Sequence, residues 1–163
     1  MKCFLFFIVL LPLIAIPALA QTKLTEVDLR INNIGTGSSY ASTIAKFGRP
    51  ISREAEEFSC TGPNDTYLTL RYSGMTVGLL DDGHEQNRKV VEIVVTSKRW
   101  QASGIRVGAT TKEIIRRFGE PVSRFKRGSL VAYNYVTPEN LGIVSFEFVG
   151  GRLVKISMSE TLC

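Results

Sequence analysis

Few side chains in this sequence could do chemistry. His84 is the one imidazole, and it stands in Asp81-Asp82-Gly83-His84-Glu85, where carboxylates beside an imidazole could ligate a metal. Asp82-Gly83 is also an ordinary turn signal, and a polar hairpin loop is the plainer reading. Glu56 and Glu57 form a carboxylate pair, but adjacent strand residues point to opposite faces. Catalysis needs an activated nucleophile or a matched acid–base pair. One histidine and no nucleophile motif point away from an enzyme, and no cofactor or metal is expected.

Charge and aromatic rings offer binding instead. Lys112, Arg116, Arg117, Arg124, Lys126 and Arg127 face only Glu113 and Glu120 in the same stretch. Such a basic patch attracts an acidic protein, an anionic lipid surface or a polyanion. The competing reading is a solvated helix whose Arg116 and Arg117 complement its C-terminal dipole. Tyr67, Arg71, Trp100, Tyr133 and Tyr135 are the candidate partner-binding residues, because such side chains dominate binding hot spots. They are equally ordinary as partly buried packing. Tyr133 and Tyr135 share a strand face by parity.

The N-terminus bounds where this chemistry operates. Lys2, an apolar run over 4–17 and Ala18-Leu19-Ala20 read as a signal peptide cleaved after residue 20. The run is short for a membrane span and is broken by Pro12 and Pro17. A periplasmic or secreted protein is expected, with no nucleic-acid partner and no lipid anchor, since Cys3 is not at the cleavage point. The formal charge of +5 falls to +4 once Lys2 is lost. Cys60 and Cys163 are then the two cysteines left. In an oxidising compartment they could form one intramolecular disulfide, with a free thiol or an intermolecular bridge as the other readings.

The elements that must position these residues are written twice. Residues 34–53, IGTGSSYASTIAKFGRPISR, align without a gap on 105–124, IRVGATTKEIIRRFGEPVSR. The identities are Ile34/Ile105, Gly37/Gly108, Ile44/Ile115, Phe47/Phe118, Gly48/Gly119, Pro50/Pro121, Ser52/Ser123 and Arg53/Arg124. A duplicated unit of roughly 65 residues follows. Each unit opens with a short helix. Ser39 and Thr110 are N-caps, and Glu113 completes a capping box that Ser42 cannot. Gly48 and Gly119 end the helices, with Pro50 and Pro121 behind them.

Alternation and turn signals place strands at 51–59, 67–72, 75–80 and 89–97, then at 122–127, 130–135, 143–149 and 152–159. Val144, Phe146 and Phe148 alternate with Ser145 and Glu147, and Val154, Ile156 and Met158 with Lys155 and Ser157, so one face is buried. The resulting organisation is a signal peptide over 1–20, a leader over 21–33, a first unit over 34–97, a linker over 98–104 and a second unit over 105–163. The expected class is α+β, two tandem helix-plus-antiparallel-sheet repeats.

The phrase IRVGATTKEIIRRFGEP at 105–121, then Tyr133 and Tyr135, then a hairpin ending FEFVGGRLVKI, resembles the small-protein-A type of outer-membrane lipoprotein. Members of that family help assemble outer-membrane barrels. Two such units in tandem in an exported protein resemble the beta-lactamase inhibitory protein, which fuses two helix-plus-sheet repeats and grips an enzyme with a concave sheet. The resemblance implies a protein-binding module of inhibitor or immunity type, its partner an exported enzyme or toxin. The alternative it implies is a structural or assembly factor of the bacterial cell envelope, with an envelope component as partner.

Overall fold

A computed structural model describes residues 27–58, 65–81, 87–137 and 142–161. The expected signal peptide, His84, Cys60 and Cys163 lie outside these residues. Among the described residues, no helix is long and apolar enough to cross a membrane.

Helix α1 spans Tyr40–Phe47 and begins where Ser39, in extended backbone, accepts the Ser42 N–H with its side chain at 3.2 Å. Helix α2 spans Thr111–Phe118. Its cap is reciprocal: Thr110 Oγ1 accepts the Glu113 N–H, and Glu113 Oε2 takes the Thr110 N–H at 2.7 Å. Both helices stop at a glycine in the left-handed region, Gly48 at φ 77° and Gly119 at φ 81°. There the glycine N–H closes a last bond to Ile44 or Ile115, where an L side chain would be strained.

Eight strands follow in chain order: β1 Ser52–Glu57, β2 Thr66–Tyr72, β3 Met75–Leu80, β4 Lys89–Val95, β5 Ser123–Arg127, β6 Leu130–Val136, β7 Gly142–Val149 and β8 Arg152–Glu160. They form one antiparallel sheet in the order β1-β2-β3-β4-β8-β7-β6-β5. This corrects the expected α+β pair of helix-plus-sheet repeats. The described residues are mainly β, one continuous sheet with two eight-residue helices. The seam that makes it so is β4 on β8, with Ile93 opposite Met158 and Val94 opposite Ser157. Two separate sheets would each leave an inner edge with unpaired backbone groups, and the seam satisfies both.

Two bulges bend the sheet at corresponding places. Gly78 and Leu79 step past Val91 on β4, and Glu147 and Phe148 step past Val154 on β8. The second corrects the expected burial of Val154. As the extra residue it leaves the alternation, stands 38% exposed, and gives its core place to Leu153 at 1%.

One face of the sheet carries the core, including Leu70, Val77, Ile93, Phe146, Ile156 and Met158, and both helices pack there. Phe47 meets Tyr72 edge-on at 5.7 Å, and Phe118 stacks on Phe146 at 5.3 Å. Each helix stop is tied down by a tyrosine of the sheet: Tyr72 Oη donates to Gly48 O at 3.3 Å and Tyr135 Oη to Gly119 O at 2.9 Å. The leader and the linker meet in a detail the sequence did not suggest. Ile31-Asn32-Asn33-Ile34 and Ala102-Ser103-Gly104-Ile105 are tight turns with both central residues at positive φ, and Ile31 bridges to Ala102.

Candidate protein-binding face

The other face of the sheet has neither helix against it. Its residues follow from register. Across the middle runs Ser52, Arg71, Thr76, Val94, Ser157, Ser145, Asn134 and Ser123, one from each strand. These side chains are mostly short and polar, so the surface is low and even along that line. Larger groups flank it. Glu54, Tyr67 and Glu92 stand on the β1–β4 half. Phe125, Ile143 and Val149 stand on the β5–β7 half, exposed at 53%, 51% and 42%.

Tyr67 is the most constrained of these. Its ring lies 5.9 Å from that of Phe58, and its hydroxyl donates to Glu92 Oε2 at 2.9 Å. Burial, then the Glu92 carboxylate, push its hydroxyl well above the usual tyrosine value of 10.0. Arg71 makes a two-pronged bond to Glu54, Nε to Oε1 at 3.1 Å and Nη2 to Oε2 at 2.9 Å, which holds that carboxyl below its ordinary 4.5. Further along, Lys155 Nζ donates to Glu147 Oε1 at 2.7 Å. The face therefore presents paired charges on both halves and uncovered apolar groups on the β5–β7 half.

The sequence candidates divide between the two faces. Tyr67 and Arg71 are on the open face. Tyr135, 1% exposed, is core, so its ring offers a partner nothing. Tyr133 is half-buried on the helix side, 5.1 Å from Phe148 and covered by Arg124 at 5.1 Å. Trp100 packs edge-on to Phe47 at 5.5 Å, and its indole N–H donates to Ser73 O at 2.8 Å. Of the basic residues, Lys112, Arg116 and Arg117 are exposed on α2. Arg124 and Lys126 lie on the helix side of β5, where Arg124 pairs with Glu120, and Arg127 alone points to the open face.

Glu56 points to the open face and Glu57 to the helix side, so the two carboxylates do not converge. Of the acids around His84, Asp81 is described and committed: it is 4% exposed, takes the Thr66 N–H at 3.0 Å and pairs with Arg88 at 2.9 Å. No group of three or more metal-ligating side chains occurs among the described residues.

The sequence reading missed Phe125, Ile143 and Val149. The signal was present for the last two, since both have the parity of Ser145 and Glu147 rather than of Val144 and Phe146. It also missed Glu92 and Gly78, which only the strand register brings to Tyr67.

No known family model matches the chain, and no curated protein matches it. Three solved structures are similar to it. One is an extracellular protein containing a SCP domain from Bacillus anthracis, 14% identical with a TM-score of 0.49 over 76% of this chain and 43% of that one. This chain thus spans less than half of that protein's length. A second is a DUF4309 family protein, YjgB, from Bacillus subtilis, 13% identical with a TM-score of 0.42 over 76% of this chain and 79% of that one. A third is a candidate beta-lactamase inhibitor protein from Streptococcus mutans, 16% identical with a TM-score of 0.32 over 78% and 85%.

Proposed function

We propose that this chain is an exported, non-enzymatic binding protein of inhibitor or immunity type, docking on another protein through the open face of its sheet. The observation that carries the reading is the exposure of Phe125, Ile143 and Val149 on the face opposite α1 and α2. Phe125 lies across from Ala132 and Val149 across from Leu130 at one end of β5, β6 and β7, while Ile143 lies across from Val136 at the other, with Ser145 and Asn134 between. Exposed apolar area rimmed by polar groups marks an interaction surface. The row of short side chains lets a partner approach the backbone, and the Arg71–Glu54 and Lys155–Glu147 pairs supply polar groups around it. Phe125 and Ile143 are the expected anchors, with Tyr67 as a rigid aromatic on the opposite half of the face. Export rests on the signal pattern of residues 1–20, and the reading assigns the chain no cofactor and no reaction.

The test compares surfaces. The full-length chain is expressed and purified, immobilised, and exposed to culture and envelope extracts of bacteria. The same is done with Phe125→Asp/Ile143→Asp on the open face and with Arg116→Glu on the helix side. A protein retained by the wild type and by Arg116→Glu, but lost from the double variant, supports the reading. If that protein is an enzyme or toxin, its activity should fall as the chain is added. Equal retention by all three variants removes the open face from the interaction.

A further inference from the structure

The sheet ends in two strands of opposite charge. At one edge β1 carries Glu54, Glu56 and Glu57 against Arg53 alone. At the other, β5 carries Arg124, Lys126 and Arg127 and no acid. Among the described residues each is hydrogen-bonded on one side only, β1 to β2 and β5 to β6. All of β5 and all of β1 after Ser52 are exposed.

Natural sheets protect such edges with charge, because an uncovered strand is a template for another. Charge of one sign on both edges would block every pairing. Opposite signs block only two of the three, β1 with β1 and β5 with β5. We propose that the third is used: β5 of one copy adds to β1 of a second copy, extending the sheet head to tail.

The geometry is consistent at three levels. The sheet has an even number of strands, all antiparallel, so β1 and β5 run in opposite directions. A second copy placed alongside continues the antiparallel order with its open face on the same side. Parity then matches Phe125 and Arg127 with Glu54 and Glu56, and Arg124 with Glu57. In the register that sets Arg127 opposite Glu54, Arg124 falls opposite Glu57 and Lys126 opposite Ala55. Opposite charges directly across a ladder favour pairing, and no like charges meet in this register. The present partners of these groups do not compete strongly. The Glu54–Arg71 pair is 59% and 52% exposed and the Arg124–Glu120 pair 53% and 66%, in the range where exposed pairs contribute little.

A β1–β5 contact is heterologous, so it closes into a ring or continues as a chain of copies. It leaves the open face uncovered, so it does not depend on that face binding a partner.

The experiment measures mass by light scattering over a range of concentrations of the full-length chain. At about 0.01 M ionic strength, where screening reaches about 30 Å, the average mass should climb to at least twice that of the monomer; at about 1 M it should return to the monomer. Glu54→Lys/Glu56→Lys/Glu57→Lys makes both edges basic, and Arg124→Glu/Lys126→Glu/Arg127→Glu makes both acidic. Each alone should stay monomeric at low salt, and an equimolar mixture should associate again. Should a triple variant lose its thermal transition, the single reversals Glu57→Lys and Arg127→Glu carry the same comparison. A wild type that is monomeric at low salt, or single-sign variants that still self-associate, would overturn the proposal. So would a monomer that retains an extended polyglutamate peptide on β5 in place of a second copy, which assigns that edge to a foreign strand.

Discussion

The Tyr67 hydroxyl lies across Gly78. A Cβ built on that glycine would stand 1.9 Å from the hydroxyl oxygen and 2.5 Å from the ring carbon that bears it. Gly78 has no positive φ, so its backbone does not call for glycine; the passage of Tyr67 towards Glu92 does. Gly78→Ala should therefore cost about 1–3 kcal/mol as an overpacking change and break the Tyr67–Glu92 bond. Thermal unfolding measures the cost, and ultraviolet titration should show one tyrosine returning towards 10.0. In a Tyr67→Phe background the same substitution should cost less, because the hydroxyl it strikes is gone. Equal costs in both backgrounds would place the strain at the ring carbon, which Phe keeps, rather than at the hydroxyl.

Tyr72 and Tyr135 do the same work at the two helix stops, with unequal geometry. Tyr135 Oη reaches Gly119 O at 2.9 Å from a site 1% exposed, whereas Tyr72 reaches Gly48 O at 3.3 Å from one 8% exposed. Replacing either by Phe keeps the ring and leaves a helix-end carbonyl without its donor. Tyr135→Phe should cost about 1–2 kcal/mol and Tyr72→Phe less. Denaturant midpoints of the two variants give the order, and a reversed order would refute the geometric argument.

These tyrosines also show how far the sequence could be read. Helix caps and stops were legible because each rests on residues within four positions of one another, as with Thr110 and Glu113 or Ile115 and Gly119. Strand spans were legible within about two residues, because alternation is local. Fold class was not. Whether four strands close their own sheet or share one depends on Val94 meeting Ser157, a pairing across 63 positions that no local pattern encodes. The same limit applies to the site. Tyr135 and Tyr67 look alike in sequence, but register buries one and leaves the other on the open face. Val154 deceived the alternation because a bulge adds a residue without a composition signal.

Alkali should destabilise the fold. Burial, then Glu120 and Tyr133, push the Tyr135 hydroxyl from 10.0 to about 12, against the opposing Arg124. Burial and Glu92 push Tyr67 further in the same direction. The unfolded chain loses these protons near 10.0 while the folded chain keeps them. Above that point the folded state binds more protons, so stability falls as pH rises. Midpoints measured from about pH 8 to pH 11 should be flat at first and then decline. Tyr67→Phe and Tyr135→Phe should each flatten the decline. A decline unchanged in the double variant would assign it to other groups.

The two helices differ at one capping position, and that difference can be reversed. In α2, Glu113 takes both the N–H and the hydroxyl of Thr110, which holds its carboxyl below the ordinary 4.5. In α1 the equivalent Ser42 is too short to reach back so far; its hydroxyl bonds Ser39 O at 2.8 Å instead. Ser42→Glu should complete the box and stabilise the protein by about 0.3–1.5 kcal/mol. Glu113→Ala should destabilise it by removing the box already present. The sign with pH is fixed by the depressed carboxyl: the Glu113 contribution is full above the usual carboxylate value and is lost as pH falls through its lowered one. The wild type should thus lose more stability on acidification than Glu113→Ala, and Ser42→Glu should lose more than the wild type. Thermal unfolding of the three chains at neutral pH and at about pH 3 measures both differences. A gain from Ser42→Glu that survives acidification would show that helix propensity, rather than the carboxylate bond, is its source.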